Sequence, residues 1–148
     1  MDATIQCDIV SHREQIFSGE VSMFIATGSG GQLGITPRHT PLITTLKAGP
    51  LRLLLPNGEE SVFIIGGGIL EVMPHLVSVL ADSAIRASDM DEAAALRARE
   101  AAEHALRTGH RRMEIMDAEA QLRLAIAELQ QLDKMRKEGR RGRRLKGG

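Results

Sequence analysis

The chain has no tryptophan and no tyrosine, and only three phenylalanines and one cysteine among its 148 residues. So few rings leave no platform on which successive nucleic-acid bases could stack. The single Cys7 excludes an internal disulfide and any multi-cysteine metal site, and it is compatible with a reducing compartment. No run of about 18 apolar residues occurs, so no membrane-spanning helix is expected. The first residues, Met1-Asp2-Ala3-Thr4-Ile5, lack the basic-then-apolar order of a secretory signal, so no signal peptide is expected. Net charge is also missing, with 19 basic residues against 19 acidic. That balance conceals a split. Residues 134–148 hold eight basic residues and one acid, while the preceding 133 hold eleven and eighteen. An acidic body joined to a basic end suggests an acidic partner for that end.

Proline stops at Pro74, and the composition changes near Ala87 from β-branched residues, Gly and Pro to Ala, Leu, Glu and Arg. This is a shift from strand-forming to helix-forming residues. Strands are expected at Thr4–Val10, Val21–Thr27, Pro41–Leu46, Leu51–Leu55, Ser61–Ile65, Ile69–Met73 and Leu76–Leu80. Turn signals separate several of them, and Asn57-Gly58 between two apolar runs marks a hairpin. Many short strands in succession indicate an antiparallel sandwich or barrel. The runs LRLLLP and SVFIIG are almost wholly apolar, as for strands covered on both faces. In the second part, Ser88 and Asp91 have the spacing of a capping box, and a first helix is expected to run to about Arg107. Its seven alanines between Ala93 and Ala105 would let another helix approach closely. A second helix is expected over Met113–Lys137, with Met116, Leu122, Ile126, Leu129 and Leu132 as its apolar stripe. The short link makes the pair an antiparallel hairpin. Gly139 should end it, leaving a basic, mobile tail.

Motifs that carry chemistry are scarce. Gly28-Ser29-Gly30-Gly31-Gln32-Leu33-Gly34 fails as a phosphate loop, because Leu33 stands where a third glycine is needed and no Lys-Ser/Thr pair follows. A tight turn using positive φ explains it. Gly66-Gly67-Gly68 reads as a bulge or tight connection, or as a place where something approaches bare backbone. His12, His39, His75, His104 and His110 form no metal-ligand pair. No G-x-S-x-G elbow is present. The residues alone therefore describe a binding or regulatory module with a β body, a helical hairpin and a basic tip, and they reveal no active site. An alternative use for that tip is nucleic acid or another acidic partner.

Several strings, taken in order, resemble a known family. Phe17-Ser18-Gly19, Thr27-Gly28, Gly31-Gln32-Leu33-Gly34-Ile35-Thr36-Pro37-Arg38-His39-Thr40-Pro41-Leu42-Ile43-Thr44, Gly66-Gly67-Gly68-Ile69-Leu70-Glu71-Val72 and Val79-Leu80-Ala81-Asp82-Ser83-Ala84-Ile85-Arg86 are similar to the epsilon subunit of bacterial ATP synthases. The similarity spans about residues 4–133. It implies an α+β fold: a ten-strand antiparallel β-sandwich at 1–87 and a regulatory two-helix hairpin at 88–138, while the basic tail at 139–148 is longer than the usual family terminus. It implies a non-catalytic central-stalk subunit of a proton- or sodium-translocating complex, peripheral on the cytoplasmic face of the bacterial inner membrane and meeting the membrane only through the complex. The implied partners are the gamma subunit, the c-ring loops and the beta and alpha subunits, with no nucleic acid. An extended hairpin would resist ATP hydrolysis.

By resemblance, Ser11, His39 and Thr44 match positions at the gamma-facing surface, and Gly31 and Gln32 match the c-ring contact. Gln32 stands where relatives often carry an acid, so an ion pair is not expected there. Lys134, Arg136, Lys137, Arg140 and Arg141 would meet an acidic segment of the beta subunits. Some relatives bind ATP through an [IL]-D-x-x-R-A motif. Here Asp91 is its only remnant, with Ala94 in place of the arginine. Losing that charge-assisted phosphate contact costs roughly 1.5–3 kcal/mol. Neither nucleotide, cofactor nor metal is therefore expected.

Overall fold

The computed structural model describes residues 3–146, with side chains described as far as Gly139. Ten strands precede two helices: β1 (Ile5–Val10), β2 (Gln15–Val21), β3 (Met23–Gly28), β4 (Gly31–Ile35), β5 (Leu42–Leu46), β6 (Gly49–Leu54), β7 (Glu60–Ile65), β8 (Gly68–Met73), β9 (Leu76–Ala81), β10 (Ala84–Arg86), α1 (Glu92–Thr108) and α2 (Arg112–Lys146). Hydrogen bonding follows the order β10-β7-β6-β3-β5-β8-β9-β1-β2, with β4 paired to β3 off that path. The β3–β5 link is a single pair, Gly28 with Leu46. The sheet folds over at this hinge into two layers whose inner faces meet.

Alternation along the strands builds the core. Phe24 and Ala26 of β3, Leu51 and Leu53 of β6, and Phe63 and Ile65 of β7 are buried against Ile5, Cys7 and Ile9 of β1, Leu70 and Val72 of β8, and Val77 and Val79 of β9 from the other layer. Phe17 meets Phe63 edge-to-face at 5.8 Å, an arrangement that aromatic rings favour. Burial pushes the Cys7 thiol up to about 12, because a buried thiolate loses its hydration.

The ten-strand sandwich followed by two helices agrees with the sequence reading, with local differences. The strands are not all antiparallel, since β1 and β9 run parallel. They lie far apart in the chain, so no hairpin turn dictates their direction. β2, β4 and β10 escape the composition reading. Each is short or carries little β-branched character, and pairing with a neighbour makes it a strand. In β6, Arg52 and Leu54 of the outer face are exposed while Leu51 and Leu53 are buried, so the outer face of that run is only partly covered. In β7, Phe63, Ile64 and Ile65 are all buried. Ile64 lies outside the inner core and faces the helices.

The helices also depart in detail. A 3₁₀ turn takes up Ala87–Asp89, and Asp91 caps α1 by accepting from the Ala93 amide at 3.0 Å. The cap is thus Asp91 and not Ser88. Helix α2 continues through Gly139 to Lys146. A glycine inside a helix costs only about 1 kcal/mol relative to alanine, and good helix formers flank this one. The side chains of 140–146 and residues 147–148 altogether lie outside the described residues. Among the described residues no helix is long and apolar enough to cross a membrane.

Candidate interaction surfaces and the hairpin seam

Strand register sorts the candidate positions to the two ends of the sandwich. Met73 pairs with Leu76, Gln6 with Leu76, and the Arg38 amide donates to the Pro74 carbonyl at 2.9 Å. This end therefore gathers the β4–β5 loop, with His39, beside the β8–β9 turn. Arg38 holds a left-handed φ of 65° in that loop, a conformation unfavourable for a side chain with a Cβ. His39 is half-buried, and its Nδ1–H donates to the Thr40 carbonyl at 2.7 Å. A carbonyl can only accept, which fixes the tautomer.

At the other end, Val10 pairs with Leu80, Gly68 with Ala81, and the Lys47 amide donates to the Thr27 carbonyl. Ser11 sits here in the β1–β2 turn, accepting from the Arg13 and Glu14 amides, both at 3.3 Å. The tip of the β3–β4 hairpin also lies at this end. Gly31 has φ +125° and is exposed together with Gln32, so both are free to contact a partner. The length of β1, roughly 17 Å at 3.3 Å per residue, therefore separates Ser11 from His39. Thr44 lies between the ends, half-buried on the same side of β5 as Leu42 and Leu46. The three positions do not share one patch.

The outward face of the β5-β8-β9 layer carries what the sequence reading missed. Ile43 is 72% exposed, with Ile69, Met73 and Leu80 also exposed. Register places Ile43 beside Glu71, Thr45 beside Ile69, and Ile69 beside Leu80. Thr45 and Glu71 are interleaved with them, so the face mixes polar and apolar side chains, with Ile69 and Leu80 as a directly paired apolar couple. The signal in the sequence is a second apolar residue at the outward positions of strands that already fill the core.

The helices cover the opposite face, against β6 and β7. Ala95 and Ala102 of α1 are buried, as are Ala118 and Ala125 of α2. Small side chains bring the two axes close, as the alanine-rich first helix suggests. The expected α2 stripe is corrected, because Met116 and Ile126 are more than a third exposed. The alanines lie closest to the neighbouring elements, and the larger apolar residues flank the contact.

Where α2 crosses the sandwich it meets Gly66. A Cβ at Gly66 would come 3.0 Å from the Ala120 carbonyl oxygen and 3.3 Å from Leu124 Cβ. The bare backbone of the glycine triplet is approached by the chain's own helix. Gly67, with φ +109°, makes the tight connection. Arg123 donates from Nε to the Gly66 carbonyl at 3.0 Å, and its guanidinium lies 3.5 Å from the Asp82 carboxylate. Beside this seam, Ser11, Arg13, Asp82, Ser83, Asp117 and Gln121 help line a cleft of about 250 Å³. Further along α2, Glu128 is only 8% exposed, and burial holds its carboxyl above the usual range.

The basic end is partly occupied. Arg136 pairs with Glu92 across the hairpin, and Lys137 with Asp133 one turn earlier at 3.1 Å. Lys134 is exposed, and the side chains of Arg140 and Arg141 lie outside the described residues. Asp91, the remnant of the nucleotide motif, is engaged as the cap of α1. Among the described residues no cluster of His, Cys, Asp and Glu could hold a metal ion.

The sequence profile described as the ATP synthase Delta/Epsilon chain beta-sandwich domain matches residues 4–87. The chain belongs to the ATP synthase delta/epsilon family. An ATP synthase epsilon chain from Stenotrophomonas maltophilia is 50% identical over 135 residues, covering 91% of this chain and 96% of that protein. One from Nitrosococcus oceani is 50% identical over 138 residues, covering 93% and 99%. A chain in the Euglena gracilis mitochondrial ATP synthase OSCP/F1/c-ring structure superposes with a TM-score of 0.66 at 20% identity, over 88% of this chain and 82% of that one. At that identity the likeness shows a shared fold. The sandwich plus hairpin is thus the family architecture, and the epsilon-chain relatives match through the hairpin as well as the sandwich.

Proposed function

We propose that this chain is the non-catalytic epsilon-type subunit of a rotary ATP synthase, part of the central stalk on the cytoplasmic face of the membrane. Its sandwich binds the gamma subunit, the β3–β4 tip at Gly31 and Gln32 meets the loops of the membrane ring, and the hairpin restrains ATP hydrolysis. The observation that carries this reading is family membership on a sandwich whose outward β5-β8-β9 face exposes Ile43, Ile69, Met73 and Leu80. Several large apolar side chains exposed together on one face suit a protein interface, where a few such side chains supply most of the binding energy. The hairpin occupies the opposite face, so a partner can sit on this one while α2 is docked.

In its role as restraint the hairpin leaves the sandwich and extends, presenting Lys134, Arg136, Lys137 and the following arginines to acidic segments of the catalytic beta subunits. Two packings of one element that differ by a few kcal/mol suffice for such a switch.

Co-expression with the gamma subunit tests the reading. The full chain should co-purify with gamma, and Ile43→Asp with Leu80→Asp should abolish this while leaving the fold intact, since both residues are exposed. Deleting 134–148 should leave gamma binding in place and raise the ATPase activity of the assembled complex. A folded chain that fails to bind gamma would overturn the assignment.

A further inference from the structure

We infer that the α2 crossing at Gly66 is a two-sided latch, in which Arg123 holds the hairpin on the sandwich and the buried Ser83 hydroxyl opposes it. This deepens the stalk reading and rests on it, because a latch matters only if the hairpin undocks.

The holding side is geometric. Arg123 projects from the middle of α2 and reaches two groups of the sandwich at once, the Gly66 carbonyl at 3.0 Å and the Asp82 carboxylate at 3.5 Å. Both acceptors belong to the turns that frame β8 and β9, and neither travels with the hairpin. The contact exists only in the docked state. The carbonyl bond is part-buried, and a charged donor makes it stronger than a neutral bond. The ion pair is about half exposed on each side, so on its own it contributes little. Gly66 makes the contact possible. Having no side chain, it lets α2 come close enough for Arg123 to reach the backbone.

The opposing side is an unmet hydrogen bond. Among the described residues, Ser83 Oγ is buried with no partner. It lies against Gly66, at 2.5 Å from the position a Cβ there would take, and lines the cleft with Ala120, Gln121 and Leu124 of α2. A buried hydroxyl without a partner loses its hydration and recovers nothing. When α2 lifts away, water reaches the hydroxyl and the loss is restored. Docking therefore gains a charge-assisted bond at Arg123 and loses a solvated hydroxyl at Ser83, two effects of similar size. The hydroxyl offsets part of what Arg123 contributes to docking.

Thiol labelling measures the undocked fraction without the rest of the complex. Ala127 lies seven residues beyond Ala120 and is 4% exposed, so a cysteine at that position reacts only when α2 leaves the sandwich. Cys7, fully buried in the sandwich core, reports opening of the sandwich itself. In the Ala127→Cys chain, Arg123→Gln should speed labelling of the new cysteine about tenfold, Arg123→Lys less, and Ser83→Ala should slow it. Labelling of Cys7 should not change in any of them. The latch is overturned if Arg123→Gln leaves the rate unchanged, if Ser83→Ala shifts it in the same direction as Arg123→Gln, or if Cys7 follows the same changes. Every variant should still co-purify with gamma. Loss of that binding with labelling as expected would count against the stalk reading and leave the latch standing.

Discussion

Gly66→Ala isolates the contact between hairpin and sandwich. The new methyl would lie 2.5 Å from Ser83 Oγ, 3.0 Å from the Ala120 carbonyl oxygen and 3.3 Å from Leu124 Cβ. The serine oxygen ends a rotatable side chain and can swing aside. The Ala120 oxygen is helix backbone and cannot move alone, so α2 must back away by a few tenths of an ångström. Overpacking of this kind costs about 1–3 kcal/mol. With the serine free to turn, we take the lower half of that range, about 1–2 kcal/mol, or roughly five- to thirtyfold in the docked-to-undocked ratio. The entropic gain of replacing glycine acts on the unfolded chain. It is common to the docked and undocked states and does not enter. In the Ala127→Cys chain, Gly66→Ala should therefore speed labelling by that factor. Adding Ser83→Ala removes the nearer clash and leaves the one with Ala120, so the double variant should remain fast. The reasoning is refuted if labelling does not accelerate. It is refuted equally if Cys7 labelling accelerates in parallel, because the clash would then have opened the sandwich rather than displaced the helix.

Glu128 gives docking a pH dependence. Burial holds its carboxyl above the ordinary glutamate range, so the docked state binds the proton more tightly than the undocked one. Docking is then strongest where both states are protonated. It weakens as pH rises through the ordinary carboxylate range, and the penalty is complete above the raised docked value. Glu128→Gln should slow labelling of the cysteine at 127 at neutral pH and flatten its profile toward acid, and an unchanged profile would exclude Glu128 as the source. Asp91→Ala removes the α1 cap and should destabilise the first turn by about 1 kcal/mol. Hydrogen exchange of the Ala93 amide should rise about fivefold, and an unchanged rate would mean that another group caps the helix.

The sandwich was legible wherever apolar residues alternate or turn chemistry is strong. Asn57-Gly58 marks the β6–β7 connection, where Gly58 has φ +89°, and the glycines at 28–31 mark the β3–β4 turn. β2 was not legible, because Ser18, Gly19 and Glu20 have weak strand preference and become a strand only through pairing with β1. Helix boundaries failed where a rule had two solutions. Both Ser88 and Asp91 can cap a helix, and the 3₁₀ turn decides for Asp91. The seam was half legible. The glycine triplet signals a close approach, but periodicity cannot say that α2 is what approaches. Arg123 and Glu128 look like ordinary solvent-facing charges in a helix, and tertiary packing gives Arg123 its sandwich partners and buries Glu128. The position of Asp82 opposite Arg123, 41 residues away in sequence, depends on strand register that composition does not encode.

The charge split and the seam act on the hairpin in different ways. The ion pairs that occupy the basic end in the docked form, Arg136 with Glu92 and Lys137 with Asp133, are exposed. Each contributes at most about 1 kcal/mol and is screened over a Debye length of about 8 Å at physiological salt. A partner presenting several carboxylates replaces them readily, and its attraction for the eight basic residues of 134–148 is screened in the same way. The Gly66 packing and the Arg123 bond to a neutral carbonyl respond far less to salt. Docking therefore rests mainly on short-range contacts, and extension on charge. Higher ionic strength moves the balance toward the docked hairpin, whereas a change at Gly66, Ser83 or Arg123 moves it at any ionic strength. On the proposed function, the basic end of a chain of zero net charge would bias the extended state, and the seam would set how strong that bias must be.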